Sequence, residues 1–101
     1  MTDIVITAAK RTAIGKFMGS LSDYSAPELG KLTIEAVLNE NSLDKNLVDE
    51  LIMGQVLTGG SGQNPARQTS ILAELPIEKS ALTINQVCGS GLRAVSLGAQ
   101  S

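Results

Sequence analysis

Histidine and tryptophan are absent from this 101-residue sequence, and cysteine, tyrosine and phenylalanine occur once each. A single cysteine excludes a disulfide within the chain and predicts a reducing compartment, the cytoplasm. The lack of histidine removes the side chain that most often moves protons near neutral pH. A catalytic cysteine in this chain would therefore need a proton-transfer partner from elsewhere.

Positively and negatively charged residues are nearly balanced in number. The chain has 8 basic and 10 acidic residues, which gives a formal net charge of −2. This balance predicts no binding to nucleic acid or to an anionic membrane surface. No apolar run is long enough to span a bilayer, the N-terminus lacks the pattern of a signal peptide, and no His/Cys cluster suggests a metal site.

What is present is an alternation of strand and helix patterns. Apolar, β-branched runs predict buried strands at residues 3–9, 50–57 and 81–87. Helical spacing predicts helices over residues 26–39, 65–75 and 88–101. The resulting β-α-β-α-β-α order predicts an α/β fold with a parallel sheet and right-handed crossovers.

Two helix starts and one glycine carry local signals. Ser25 and Asn64 are N-cap residue types, each followed within two residues by a proline that the first helical turn tolerates. Gly54, inside the second predicted strand, indicates a bulge or a close approach of another backbone.

The last predicted helix differs from the others. Arg93 is its only charged residue, and the remaining side chains are apolar or small on every face. This pattern predicts a helix buried on all sides, with Arg93 paired to an acid or to carbonyl groups. Three strands and three helices cannot enclose such a helix. Together with the missing histidine and a last helix without a stop signal at Ser101, this predicts a fragment of a larger enzyme.

Cys88 lies where the third strand pattern gives way to this helix. A thiol at a helix start faces unpaired backbone N–H groups and the positive end of the helix dipole, which favour the nucleophilic thiolate. Gly89 and Gly91 leave room for an acyl group. From the residues alone, two interpretations stay open: a functional thiol, or a small buried side chain.

Other candidate sites have weaker signals. Ser90 could be a nucleophile, but Cys88 occupies the first glycine position of a Gly-x-Ser-x-Gly elbow. Residues 59–62 are glycine-rich but lack the Gly-Lys-Ser/Thr ending of a phosphate-binding loop, so we interpret them as a flexible connector. Arg67 could bind an anion, although a helix-surface or subunit-contact role fits better.

Four stretches resemble the thiolase family, in particular its acetyl-CoA acetyltransferases. NQVCGSGLRAV at residues 85–95 resembles the nucleophile motif, and GQNPARQ at residues 62–68 resembles a second signature. RTAIGKF at residues 11–17 and VDELIMG at residues 48–54 match in the same order, with Ala13 where the family usually has proline. The resemblance covers the whole chain, and four matches in register are more specific than one.

The resemblance implies a fold, a reaction and a set of partners. Residues 1–101 would be the incomplete N-terminal thiolase domain, the first part of the N-terminal half of a layered fold whose loop domain and C-terminal half are absent. Cys88 would take an acetyl group from acetyl-CoA, with its backbone N–H in the oxyanion hole. Claisen condensation would give acetoacetyl-CoA, and thiolysis of 3-ketoacyl-CoA would be the reverse. Coenzyme A is then a substrate and no cofactor is held permanently.

The resemblance also implies a homodimer or homotetramer and a role in fatty acid metabolism. The family's histidine, second cysteine and CoA-binding loops would all lie outside this chain, so we expect residues 1–101 alone to be inactive. Two alternatives remain: a related condensing enzyme of the ketoacyl synthase type, or a noncatalytic α/β piece that contributes a dimer surface.

Overall fold

Helices and strands alternate along the chain in the computed structural model, which describes residues 2–101. The elements in chain order are α1 (Ala26–Glu40), a 3-10 turn (Lys45–Leu47), β1 (Glu50–Gly54), α2 (Pro65–Leu72), β2 (Ser80–Ile84) and α3 (Ser90–Gln100). The α/β fold class predicted from the sequence is confirmed. Among the described residues, no helix combines the length and the apolar character that crossing a membrane requires.

The sheet is parallel and has two strands. Glu50 of β1 lies opposite Ser80 of β2, and the register continues to Gly54 opposite Ile84. A further bond, from the Gln55 N–H to the Ile84 carbonyl at 3.0 Å, extends the pairing past the end of β1. Because parallel strands end at the same edge, the segments after β1 and β2 leave the sheet side by side.

The start of α1 follows its sequence signal. The Ser25 hydroxyl accepts a hydrogen bond from the Glu28 N–H at 3.2 Å, which satisfies one of the unpaired donors of the first turn. Pro27 lies in that turn, where its missing N–H is harmless. The helix ends at Glu40, one residue beyond the predicted end. Local capping chemistry was therefore sufficient to locate this helix.

A small aliphatic core lies between α1, α2 and β1. Its buried and half-buried side chains are Leu38, Ala73, Leu75, Ile34, Val48 and Leu51. Gly30 lets α1 approach closely, since a Cβ at this position would lie 2.8 Å from Met53 Cε and 2.9 Å from Thr69 Cγ2. A larger side chain at position 30 would push α1 away from α2 and β1.

The strand predicted at residues 3–9 does not form in the described part of the chain. Ile4, Val5 and Ile6 are 63%, 71% and 77% exposed, and no strand pairs with them. The segment is attached to the end of α1 by a bond from Asn41 Nδ2 to the Thr7 carbonyl at 2.7 Å. The prediction was wrong because β-branched residues favour an extended backbone but a ladder also needs a neighbouring strand.

The other two strands form but are shorter than predicted. β1 stops at Gly54 where the pattern continued to residue 57, and β2 stops at Ile84 where it continued to residue 87. Local side-chain hydrogen bonds hold the backbone just beyond each strand: Gln55 Nε2 donates to the Leu57 carbonyl after β1, and Asn85 Oδ1 accepts from the Val87 N–H after β2. Such local bonds offer the backbone an alternative to the ladder, and they end both strands early.

Helix α3 packs along β1 on one side only. Ser90 is its one buried residue among those described, while Leu92 and Val95 are 78% and 54% exposed. No element of residues 2–101 covers the outer face, as expected from a piece whose strands and helices cannot enclose α3, and burial of this helix on all sides stays a prediction. At its far end, the Ser101 hydroxyl donates to Glu50 Oε2 at 3.2 Å, which ties the end of α3 to the beginning of β1.

Candidate active site

The turn between β2 and α3, residues 85–89, carries the only cysteine of the chain. Helix α3 begins at Ser90, and its N-cap is Gly89, which has no side chain to bond the first turn. Cys88 therefore lies just before the cap and is exposed. The prediction that the helix begins at residue 88 was wrong by two residues, and the interpretation of Cys88 as a buried side chain is excluded for this structure.

Val87, the residue before the cysteine, has a left-handed backbone. Its φ of 50° is a region that β-branched residues rarely occupy, because Cβ meets the backbone there. Such strain costs on the order of 1–3 kcal/mol and persists only where the surroundings hold it. Val87 is 62% exposed, so burial of its own side chain does not provide that hold.

Hydrogen bonds hold the turn from several directions. The Val87 N–H donates to Asn85 Oδ1 at 2.8 Å, and the Val87 carbonyl accepts from the Ser90 hydroxyl at 2.7 Å. The same Ser90 oxygen accepts from the Gln86 N–H at 2.8 Å. Asn85 Nδ2 also donates to the Val56 carbonyl at 3.1 Å, which joins the turn to the segment after β1. The strained residue is thus fixed on both of its peptide groups.

Gly54 supports the turn from below. A Cβ at this position would lie 2.6 Å from the Ser90 carbonyl carbon and 2.8 Å from the Gly91 nitrogen, closer than real Cβ contacts allow. The sequence signal at Gly54 is confirmed as a close backbone approach. The end of β1 therefore sets the position of the first turn of α3.

Ser90 is not available as a nucleophile. It is 4% exposed, and its single hydroxyl hydrogen is already donated to the Val87 carbonyl. Cys88, two residues earlier, is exposed on the outside of the same turn. Of the two candidate nucleophiles, only the thiol is exposed at the surface of these residues.

Backbone N–H groups near the thiol differ in whether they donate a hydrogen bond within the turn. Those of Gly89 and Ser90 donate to the Gln86 and Val87 carbonyls at 3.0 and 3.1 Å. The N–H of Cys88 takes part in none of the bonds that close the turn. It is therefore the donor that could stabilise a negative charge on an oxygen beside the thiol.

The glycine-rich loop after β1 is held by glutamine side chains. Gln68 Nε2 donates to the Ser61 and Gln63 carbonyls at 2.6 and 2.9 Å, and Gln55 Nε2 contacts the Ser61 hydroxyl at 3.3 Å. These bonds give the loop a defined shape and agree with a connector between β1 and α2. A groove of about 410 Å³ lies beside it at the carboxyl edge of the sheet, and its lining includes Thr58, Asn64 and Asn85.

The two arginines have different surroundings. Arg67 donates to the Lys79 and Ile77 carbonyls at 3.2 and 2.9 Å, so its guanidinium holds the segment before β2 in place. Arg93 is exposed, and no acidic side chain in residues 2–101 forms a salt bridge with it. The expected partner of Arg93 is not among the acidic side chains of residues 2–101, and its pairing stays a prediction.

Metal-binding side chains do not cluster in residues 2–101: no group of three or more His, Cys, Asp or Glu residues is placed to hold an ion. The chemistry available at the turn is that of the thiol and of the backbone beside it.

Comparison with known proteins assigns the chain to a family. The thiolase N-terminal domain matches residues 4–101. An acetyl-CoA acetyltransferase of Pseudomonas aeruginosa is 58% identical over 101 residues, which are all of this chain and 26% of that protein. A probable acetyl-CoA acetyltransferase of Escherichia coli is 52% identical over the same length. The chain thus spans about a quarter of the length of the curated relatives it matches.

A solved structure has the same fold. The crystal structure of a thiolase from Ascaris suum in complex with coenzyme A superposes with a TM-score of 0.86 at 39% identity, covering 88% of this chain and 23% of that one. The match is to a protein that binds coenzyme A, and it includes most of the described elements. From its sequence, its fold and its strand-to-helix turn, the chain belongs to the thiolase family and corresponds to the N-terminal domain of that family.

Proposed function

We propose that the whole protein is an acetyl-CoA acetyltransferase in which Cys88 carries the acetyl group. The observation that supports this most directly is the exposed thiol on a braced, strained turn at the carboxyl edge of a parallel sheet. Sites of open α/β sheets lie at this edge. The relatives named above are acetyl-CoA acetyltransferases, and the thiolase from Ascaris suum was solved with coenzyme A.

The first half-reaction is the transfer of acetyl from acetyl-CoA to the enzyme. The Cys88 thiolate attacks the thioester carbonyl, and the resulting tetrahedral oxyanion accepts the Cys88 N–H. The carbon–sulfur bond to coenzyme A then breaks, and its thiolate leaves with the bonding pair. One thioester replaces another, so the step lies near energetic balance.

The second half-reaction forms the carbon–carbon bond. A base removes a proton from the methyl group of a second acetyl-CoA, and the enolate attacks the acetyl carbon on Cys88. Collapse of the intermediate releases acetoacetyl-CoA and returns the thiolate. Thiolysis of a 3-ketoacyl-CoA is the same sequence in reverse. Since residues 1–101 contain no histidine, we assign the proton transfers to groups in other parts of the whole protein.

Labelling of Cys88 tests the assignment. Iodoacetamide should alkylate this thiol in the full-length protein at neutral pH, and preincubation with acetyl-CoA should protect it, because the acyl-enzyme has no free thiol. Peptide mapping by mass spectrometry locates the label. The control is protein unfolded in urea before acetyl-CoA is added, in which protection should vanish because no acyl-enzyme forms. Labelling that acetyl-CoA does not reduce contradicts the proposal.

Substitution of Cys88 tests the mechanism. Cys88→Ser should lower acetyl transfer by more than about 1,000-fold, because an alcohol is a far weaker nucleophile without a dedicated base. The variant should retain its thermal unfolding midpoint, since the side chain is exposed. Normal turnover by Cys88→Ser would rule out the acyl-cysteine.

The choice of acyl donor separates the enzyme hypotheses. Acetyl transfer from coenzyme A is expected here, whereas preference for an acetyl group on acyl carrier protein would indicate a condensing enzyme of the ketoacyl synthase type. A protein that uses neither donor and is not labelled at Cys88 would fit the noncatalytic alternative.

Assembly and location are part of the proposal. We propose a cytoplasmic homodimer or homotetramer with a role in fatty acid metabolism. The exposed apolar side chains of α3 and of residues 4–6 agree with burial against further protein. Light scattering of the full-length protein should give two or four times the mass of one chain, and a monomer would contradict this part.

A further inference from the structure

The hydroxyl of Ser90 makes two hydrogen bonds to the strained turn and none to the rest of the helix. It accepts from the Gln86 N–H at 2.8 Å and donates to the Val87 carbonyl at 2.7 Å. Val87, with its φ of 50°, lies between these two groups. One side chain therefore closes the backbone around the residue that directly precedes Cys88.

Ser90 is itself held in place. It is 4% exposed, and its backbone and Cβ lie against Gly54, where no side chain would fit. The hydroxyl thus transmits the position of β1 to the turn. The orientation of the Cys88 Cα–Cβ bond follows from the backbone on either side of it, which is the part of the chain that Ser90 fixes.

We propose that Ser90 is a positioning residue for acetyl transfer: its hydroxyl holds Val87 in the left-handed conformation and so directs the Cys88 thiol toward the acyl carbon. This inference rests on the proposed function, since it assigns a role in the reaction of Cys88. Ser90 does not touch the reacting atoms and acts only through the turn.

Ser70 provides a matched control in the same chain. It is also 4% exposed, and its hydroxyl donates to the carbonyl three residues earlier, that of Arg67, at 2.8 Å. Both serines therefore lose a buried hydrogen bond when changed to alanine. They differ in that the Ser90 bonds surround the strained residue, whereas the Ser70 bond lies within α2.

The experiment compares Ser90→Ala with Ser70→Ala in the full-length protein. A misplaced nucleophile loses rate in the chemical step, and displacements on the order of 1 Å can cost about 100-fold. Ser90→Ala should lower kcat by roughly 10- to 100-fold with KM for acetyl-CoA changed less than about twofold. Ser70→Ala should leave both within about twofold, although both variants lower the unfolding midpoint. Unchanged kcat in Ser90→Ala, or equal losses in both variants, would overturn the proposal.

A double variant tests the route through Val87. Asparagine occupies the left-handed region far more readily than valine, so Val87→Asn removes the need for a side chain that holds the strain. Ser90→Ala should therefore lower kcat by less than about threefold when introduced into Val87→Asn, a nonadditivity that a double-mutant cycle measures. An undiminished loss in that background rejects the mechanism. If Ser90→Ala alone fails to fold, the double variant is measured against Val87→Asn only, and a loss of kcat of more than about tenfold in that pair rejects the mechanism.

The Cys88 variant keeps the two hypotheses separate. If Cys88→Ser retains acetyl transfer, the proposed function fails, and the role of Ser90 fails with it. If Cys88→Ser is inactive while Ser90→Ala has normal kcat, the acyl-cysteine stands and only the positioning role is refuted.

Discussion

Two segments connect the end of a strand to the start of the next helix: residues 55–64 before α2 and residues 85–89 before α3. We call them the α2 joint and the α3 joint, and they are held by different interactions. Each follows a strand at the carboxyl edge of the sheet, and each contains a residue with positive φ, Asn64 at 41° and Val87 at 50°. Asn64 suits that conformation, and its side chain also caps the Arg67 N–H at 3.3 Å. Val87 does not suit it, and α3 has no side-chain cap.

The α2 joint attaches its helix to the sheet, whereas the α3 joint leaves the Cys88 side chain exposed. Asn64 bonds Thr83 Oγ1 at 2.6 Å and the Ala81 carbonyl at 3.1 Å, so the start of α2 is fastened directly to β2. At α3 the hydrogen bonds that hold the turn come from the neighbouring side chains Asn85 and Ser90, and the Cys88 side chain stays exposed. Strain held by surrounding groups is characteristic of functional sites.

The substitution with the largest expected effect adds a side chain at Gly54, which contacts the first residues of α3. Gly54→Ala places a Cβ about 2.6 Å from backbone and Cβ atoms of Ser90, so β1 and α3 must separate. We expect a loss of about 3 kcal/mol in the free energy of unfolding, measured by urea denaturation of the full-length protein, together with loss of acetyl transfer.

Gly98→Ala is the matched control for that test. Nothing lies within 4 Å of a Cβ at Gly98 among the described residues, so alanine in the helix should raise the free energy of unfolding by up to about 1 kcal/mol. Equal destabilisation by both variants would show that the effect at Gly54 is not due to its contact with Ser90.

An intermediate effect is expected at the α2 joint. Asn64→Ala removes the cap and the bonds to β2, and it places alanine at positive φ, for a loss of about 2 kcal/mol in the free energy of unfolding. Asn64→Gly should lose less, because glycine accepts the backbone conformation and only the side-chain bonds disappear. For both variants we expect kcat to fall far less than for Ser90→Ala. A larger fall in kcat at Asn64 would erase the contrast between the joints.

The smallest effect concerns the strain itself. Val87→Asn should raise the free energy of unfolding by about 1 kcal/mol, because the side chain is exposed and the new residue accepts positive φ. Val56→Asn is the control, an exposed valine for which no positive φ is found. A gain at Val56 equal to that at Val87 would attribute the effect to surface polarity instead of strain.

Local signals were sufficient for the starts of α1 and α2 and for the close approach at Gly54. Ser25 and Asn64 act within three residues of their own position, so their caps could be read from the sequence. Gly54 in a strand pattern indicated that another backbone segment lies close to it, but it did not indicate that this segment is Ser90. Asn85, two residues before Val87, is the pattern of an Asx turn and could have indicated the early end of β2.

Nonlocal features were beyond reach. Residues 3–9 have strand composition, but pairing depends on a neighbour far away in sequence or in space. Burial of α3 depends in the same way on surfaces that its own residues do not specify. The left-handed Val87 is opposed to its intrinsic preference, and only the combined bonds of Asn85 and Ser90 explain it. Cys88 itself was located to within two residues of the helix start because glycines and the change of period flank it.

Two contacts fix α3 along β1. Ser90 lies against Gly54 at the carboxyl end of the strand, and the Ser101 hydroxyl donates to Glu50 Oε2 at its beginning. One residue inserted into β1 would lengthen it by about 3.3 Å, so α3 could no longer make the contacts at Gly54 and Glu50 at the same time. Insertions inside β1 should therefore destabilise the protein, whereas insertions in the loop of residues 58–62 should be tolerated. The length of β1 thus determines where the Cys88 thiol lies relative to the sheet.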